Sequence, residues 1–150
     1  DPRSADRLRF PRVAATPQAR VTWLRSAAEQ GSRSALERLA AQGDEWAEDS
    51  VAKSGDPAWL RSAAERALAK GDVVRAWTWQ YLALAHGVDL TRSTMAAYHD
   101  GGQQDGQFYD SDFGGAMYVG GDEGVALPEL GRAGHRDAKA KAQALYSEAP

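Results

Sequence analysis

The 150-residue sequence predicts an all-α fold of short antiparallel helix hairpins in tandem, interrupted by one long Gly/Asp-rich loop. Three observations carry that prediction. The word WLRSAAE occurs twice, at 23–29 and 59–65, and a period of about 20–50 residues marks tandem helical arrays. Glycine punctuates the chain at Gly31, Gly43, Gly55, Gly71 and Gly87, each closing an Ala-rich stretch as a helix C′ residue does. No period-two run of useful length argues for a strand.

The elements follow from this punctuation. Asp44, Asp56 and Asp72 come directly after turn glycines and are good N-caps, and Pro57 then takes the first helical position. Helices are expected at 17–30, 33–42, 45–54, 57–70, 73–86, 90–98, 127–133 and 136–148. In 57–70 the apolar face is Leu60, Ala63, Ala64, Ala67 and Leu68. In 73–86 it is Val74, Trp77, Tyr81, Leu84 and Ala85, widened by Trp79 and Leu82, which makes this the expected central helix. His86 and His135 fall at helix ends and read as structural. Residues 1–16 carry Arg3, Arg7, Arg9 and Arg12 and read as an arm, an extended tail or a short helix docked by Leu8 and Phe10.

Composition bounds the rest. Hydrophobic content of 43% with 26% charge suits a single folded domain over 1–150, with the loop inserted at 99–126. The absence of cysteine excludes disulfide and thiolate chemistry. No apolar run approaches the roughly 18 residues of a bilayer span. Twenty-nine alanines and 14 Arg against 4 Lys suggest a bacterial source with a GC-rich genome. A start at Asp1 suggests a trimmed or mature chain with any targeting signal upstream. The expected compartment is periplasmic or cytoplasmic, with the periplasm favoured.

The stretch WLRSAAEQGSRSALERLAAQGD, 23–44, resembles the Sel-one-like repeat, a tetratricopeptide (TPR-like) relative of about 36 residues built from helix pairs. The likeness lies in an aromatic, an Ala-Ala-Glu-Gln-Gly turn and small residues spaced for close packing. VRAWTWQYLALAHG, 74–87, and GRAGHRDAKAKAQAL, 131–145, are similar more loosely, while the second WLRSAAE lacks the Gln-Gly that follows the first. The resemblance implies a degenerate α-solenoid scaffold that binds proteins without catalysis. Small bacterial proteins of this kind include immunity proteins, which inhibit cognate secreted toxins.

The segment 97–130 stands apart, with eight glycines, seven acids, five aromatics and no Lys or Arg. The net charge of −3 therefore divides into −7 on the segment and about +4 elsewhere. Such polarity repels phosphate, arguing against nucleic acid, and favours a cationic protein surface or a metal ion. The candidate partner-binding residues are Tyr98, Asp100, Asp105, Phe108, Tyr109, Asp110, Asp112, Phe113, Tyr118, Asp122 and Glu123. The competing reading has the rings folding back to anchor an Ω-like loop. Asp100, Asp105, Asp110 and Asp112 supply calcium-type oxygen ligands but lack EF-hand spacing and a closing Glu. Asp110 and Asp112 also form a carboxylate pair, and His99 beside Asp100 is a lone metal-ligand or contact candidate.

No Gly-x-Ser-x-Gly, P-loop or dinucleotide fingerprint is present, so neither enzyme nor cofactor is expected. The leading expectation is an inhibitor of a toxin or effector with a basic or cleft-like surface. The alternatives are an adaptor using the helix surface and a Ca²⁺-stabilised exported binding protein.

Overall fold

The computed structural model describes residues 16–149, so the N-terminal arm, apart from Thr16, lies outside the described residues. In chain order these residues form α1 (Pro17–Glu29), α2 (Arg33–Ala41), α3 (Glu45–Ala52), α4 (Pro57–Ala69) and α5 (Val73–Ala85). Then come β1 (Ala96–His99), β2 (Met117–Gly120) and α6 (Arg132–Ser147). The described residues are mostly helical, with one small antiparallel sheet. They divide into two compact units, one of residues 16–54 with 148–149 and the other of residues 55–147.

The helix boundaries follow the capping chemistry read from the sequence. Asp44 accepts from the Ala47 N–H at 2.9 Å, Asp56 from Ala58 at 3.1 Å and Asp72 from Arg75 at 3.1 Å. The five turn glycines have φ between 73° and 97°, the left-handed region of a C′ residue.

In the first unit α2 packs against both α1 and α3, around Leu24, Leu39 and Val51. Arg25 ties α1 to the α2–α3 turn through a 2.7 Å ion pair with Asp44, and its guanidinium lies 4.3 Å from the Trp46 ring centre. In the second unit α5 packs against α4 and α6. The expected face of α4 is buried at Leu60, Ala63, Ala64 and Ala67. On α5 the expected stripe is displaced: Val74 and Leu84 are exposed, and the buried residues are Ala76, Thr78, Trp79, Gln80, Leu82 and Ala83. A helix held between two neighbours buries two faces, and the small Ala76 and Ala83 let them close in. Trp77 and Tyr81 form the flank toward α6, where the Tyr81 hydroxyl lies 2.8 Å from His135 Nδ1.

The two WLRSAAE words occupy different places in their helices. The first ends α1 and the second begins two residues into α4. Both bury the Leu and the second Ala (Leu24 and Ala28, Leu60 and Ala64), so the same face is used at different heights.

Two expected helices are replaced. Residues 90–98 form a turn and then β1, because their backbone pairs with the chain returning at 116–125 instead of with itself. Residues 127–131 run without helix into α6, since Pro128 disfavours helical geometry in the residue before it. The expected absence of strands is likewise corrected by the β1–β2 pair.

Candidate functional site

The segment expected as a long loop is a structured hairpin. It is launched from a small polar network at the end of α5. Buried Gln80 donates to Asp89 Oδ1 at 2.8 Å and accepts from the Leu90 N–H at 2.9 Å, so both ends of its amide are used. Asp89 also accepts from the Thr91 hydroxyl and backbone N–H. The Thr91 hydroxyl, then Gln80 and the Thr91 N–H, with Arg92 nearby, hold the Asp89 carboxyl below its usual 3.8. This turn seats Leu90, which is fully buried.

The base of the hairpin is clamped from α4. Arg61 donates to the carbonyls of Leu90 at 3.1 Å and Glu123 at 2.8 Å, and its Nε lies 4.0 Å from Asp122. The returning chain lies close against the outgoing one at Gly121 and Gly124. A Cβ at Gly121 would collide with the Thr94 carbonyl, and one at Gly124 with that of Thr91.

Above the base, β1 and β2 pair with Tyr98 opposite Tyr118. On its other edge β1 receives the chain again: His99 N–H donates to Gln107 and Tyr109 N–H to Ala97, placing Phe108 opposite Tyr98. β1 is thus central, flanked by β2 and a short rung at 107–109.

Alternation then sorts the side chains. Tyr98, Tyr118 and Phe108 share one face and stack as a ladder, with Tyr98 centred 5.4 Å from each neighbour. The next position on that face is Gly120, which leaves the Tyr98 and Tyr118 rings unobstructed. On the opposite face His99 is buried beneath Tyr109, their rings 4.8 Å apart, with Phe113 edge-on at 6.1 Å. His99 Nε2 accepts the Asp110 N–H at 2.9 Å, which places the ring proton of a neutral histidine on Nδ1. The lone metal-ligand candidate is therefore the pin of the loop.

The candidate residues divide between two roles. Phe108 is 75% exposed, Phe113 65% and Tyr118 44%, whereas Tyr98 and Tyr109 are half-buried supports. Asp100, Asp105, Asp110, Asp112, Asp122 and Glu123 are all exposed. Asp105 also accepts from Gly101 N–H at 2.7 Å and Asp110 from Asp112 N–H at 2.9 Å, so these carboxylates shape turns. The aspartates do not converge: among the described residues no three His, Asp or Glu side chains are placed to hold a metal ion. A cleft of about 430 Å³ opens at the tip, lined by His99, Asp100, Gln104, Phe113 and Gly115 among others.

Three supports escaped sequence reasoning: Arg61, the Gln80–Asp89 pair, and the exposed apolar Met117 and Val119 of β2. The last had a signal in AMYV, a short apolar run bounded by paired glycines on both sides. No helix among the described residues is long and apolar enough to cross a membrane. Comparison with known proteins found no matching family model, curated protein or solved structure.

Proposed function

We propose that this chain is a non-catalytic protein-binding scaffold whose hairpin engages a cationic partner, most specifically an inhibitor of a cognate bacterial toxin. One observation carries the reading: an exposed aromatic ladder on a segment with seven acids and no base. Rings held rigidly by stacking offer large contact area at low entropic cost, as binding hot spots do. The surrounding carboxylates attract a basic cleft and repel acidic competitors. Inhibition follows if that cleft is the toxin's active site or substrate groove. The toxin assignment draws on the resemblance to Sel-one-like repeat proteins in addition to the charge.

The test takes a candidate toxin, sought among the products of neighbouring genes, and measures calorimetric affinity for it. The double variant Phe108→Ala/Tyr118→Ala is expected to lose about tenfold or more in affinity, the scale of a hot-spot truncation. Asn at 100, 105, 110 and 112 keeps the Oδ1 acceptors that shape the turns but removes charge, so it should slow association and flatten the salt dependence. Wild-type affinity in both variants would remove the hairpin from the interface. An adaptor reading is favoured by exposed Val21, Trp23 and Trp46 in the first unit, and Trp23→Ala separates it from the hairpin reading.

A further inference from the structure

The two edges of the hairpin sheet are treated differently. β1 is covered by β2 on one side and by the 107–109 rung on the other. Among the described residues β2 has β1 on one side only. The bonds Asp100 N–H to Ala116 O and Thr94 N–H to Asp122 O set the phase of the ladder. By that phase Tyr118 bonds inward to Tyr98, and the N–H and C=O of Met117 and Val119 point away from β1. Among the described residues no backbone hydrogen bond reaches those outward groups. Met117 is 53% exposed and Val119 59%, so side chains do not cover the edge either.

Proteins usually blunt such an edge with lysine, proline, a bulge or a covering segment. Here the chain itself covers the far side of β1, while Met117–Gly120 carries no lysine, proline or bulge and, among the described residues, no covering segment.

We infer that the outer edge of β2 takes up an extended, arginine- or lysine-bearing segment of a protein partner as an added antiparallel strand. The inference rests on the protein-binding reading of the hairpin and specifies how the partner is held. The added strand bonds to Met117 and Val119, and the residue it places opposite Tyr118 continues the Phe108–Tyr98–Tyr118 ladder. A cation at that position meets a ring face and lies within a base-free, acidic segment, which selects against an acidic strand. The same charge disfavours a second copy of this hairpin as the occupant, because two acidic segments would be brought together.

The probe is a short, end-capped peptide alternating valine and arginine, titrated into the full chain and followed through backbone amide shifts. Three comparisons are made: its glutamate counterpart, its N-methylated form with alternate amides blocked, and the protein variant Val119→Pro. Proline at 119 removes an outward N–H and leaves the β1–β2 bonds intact, the position where edge strands tolerate it. Val119→Ala controls for the lost side chain.

The inference expects shifts centred on 117–119, no binding of the glutamate or N-methylated peptides, and about fivefold or greater weakening in Val119→Pro, as loss of a backbone hydrogen bond implies. Should that variant lose the hairpin fold, the N-methylated peptide still decides. Equal binding of the N-methylated peptide means attraction by charge alone; it overturns strand addition and leaves the protein-binding reading standing. No binding of the arginine peptide overturns the inference, while the toxin titration judges the function separately. A dimer that dissolves in Val119→Pro assigns the edge to a second copy and also overturns it.

Discussion

Removing Arg61 tests whether the hairpin is held by α4 or stands by itself. The side chain is nearly buried and makes two charge-assisted hydrogen bonds, to the carbonyls of Leu90 and Glu123. Such bonds contribute about 1.5–3 kcal/mol each, and here the lower figure applies. Leu90 O also accepts from Val125 N–H at 2.9 Å, and the Glu123 bond is exposed enough for water to replace it. The long contact to exposed Asp122 adds little, within about 0–1 kcal/mol. Arg61→Ala should therefore cost the hairpin about 3 kcal/mol, close to a hundredfold in its opening equilibrium.

Native-state amide exchange reads this directly at Thr94 and Val125, whose N–H groups bond to Asp122 O and Leu90 O across the hairpin base. Protection there should fall about a hundredfold in Arg61→Ala. It should fall about tenfold in Arg61→Lys, whose point charge lacks the fork. Amides of α1 to α3 should not change. Protection within about threefold of wild type at both positions, with helices intact, would refute the clamp. Collapse of the whole helical signal would refute its being local.

Three further outcomes are expected. His99→Phe keeps the ring contacts but loses the acceptor for Asp110 N–H, costing about 1 kcal/mol, while His99→Ala loses both and costs about 2–3; urea midpoints with near-ultraviolet tyrosine signals report the order. Gly55→Ala puts a Cβ at φ +73° and 2.5 Å from the His86 ring, so it should destabilise by at least about 1–2 kcal/mol. Adding His86→Ala should return the clash component, and a purely additive thermal-melt cycle would argue against that contact. The third concerns pH. Because the folded pKa of Asp89 is depressed, its charge stabilises the fold above the ordinary 3.8 and that contribution is lost as pH falls through the folded value. The stability gap between wild type and Asp89→Asn should be flat above about pH 5 and narrow below 3.8; a gap that widens on acidification would contradict the Asp89 network.

Capping chemistry was legible because it is local. Asp44, Asp56 and Asp72 satisfy N–H groups two or three residues away, and the C′ glycines adopt a backbone that needs no distant partner. The α5 face was misread for the opposite reason. Val74 and Leu84 fit an apolar period, but burial is decided by which helices lie on either side. The break expected between the helices at 127–133 and 136–148 is absent: Gly134 lies inside α6, its missing Cβ leaving room for the Leu130 side chain.

For the candidate site, sequence alone determined the composition: acids without bases, five rings and glycines enough to turn. These are properties of a list of residues and need no geometry. Tertiary structure decided everything that depends on pairs far apart in the chain. It made strands of 96–99 and 117–120 because each satisfies the other's backbone across 17 intervening residues. It buried His99 as a pin, set Arg61 beneath the base and aligned Phe108, Tyr98 and Tyr118 into one face. A strand's identity and register belong to its partner, which no local window contains.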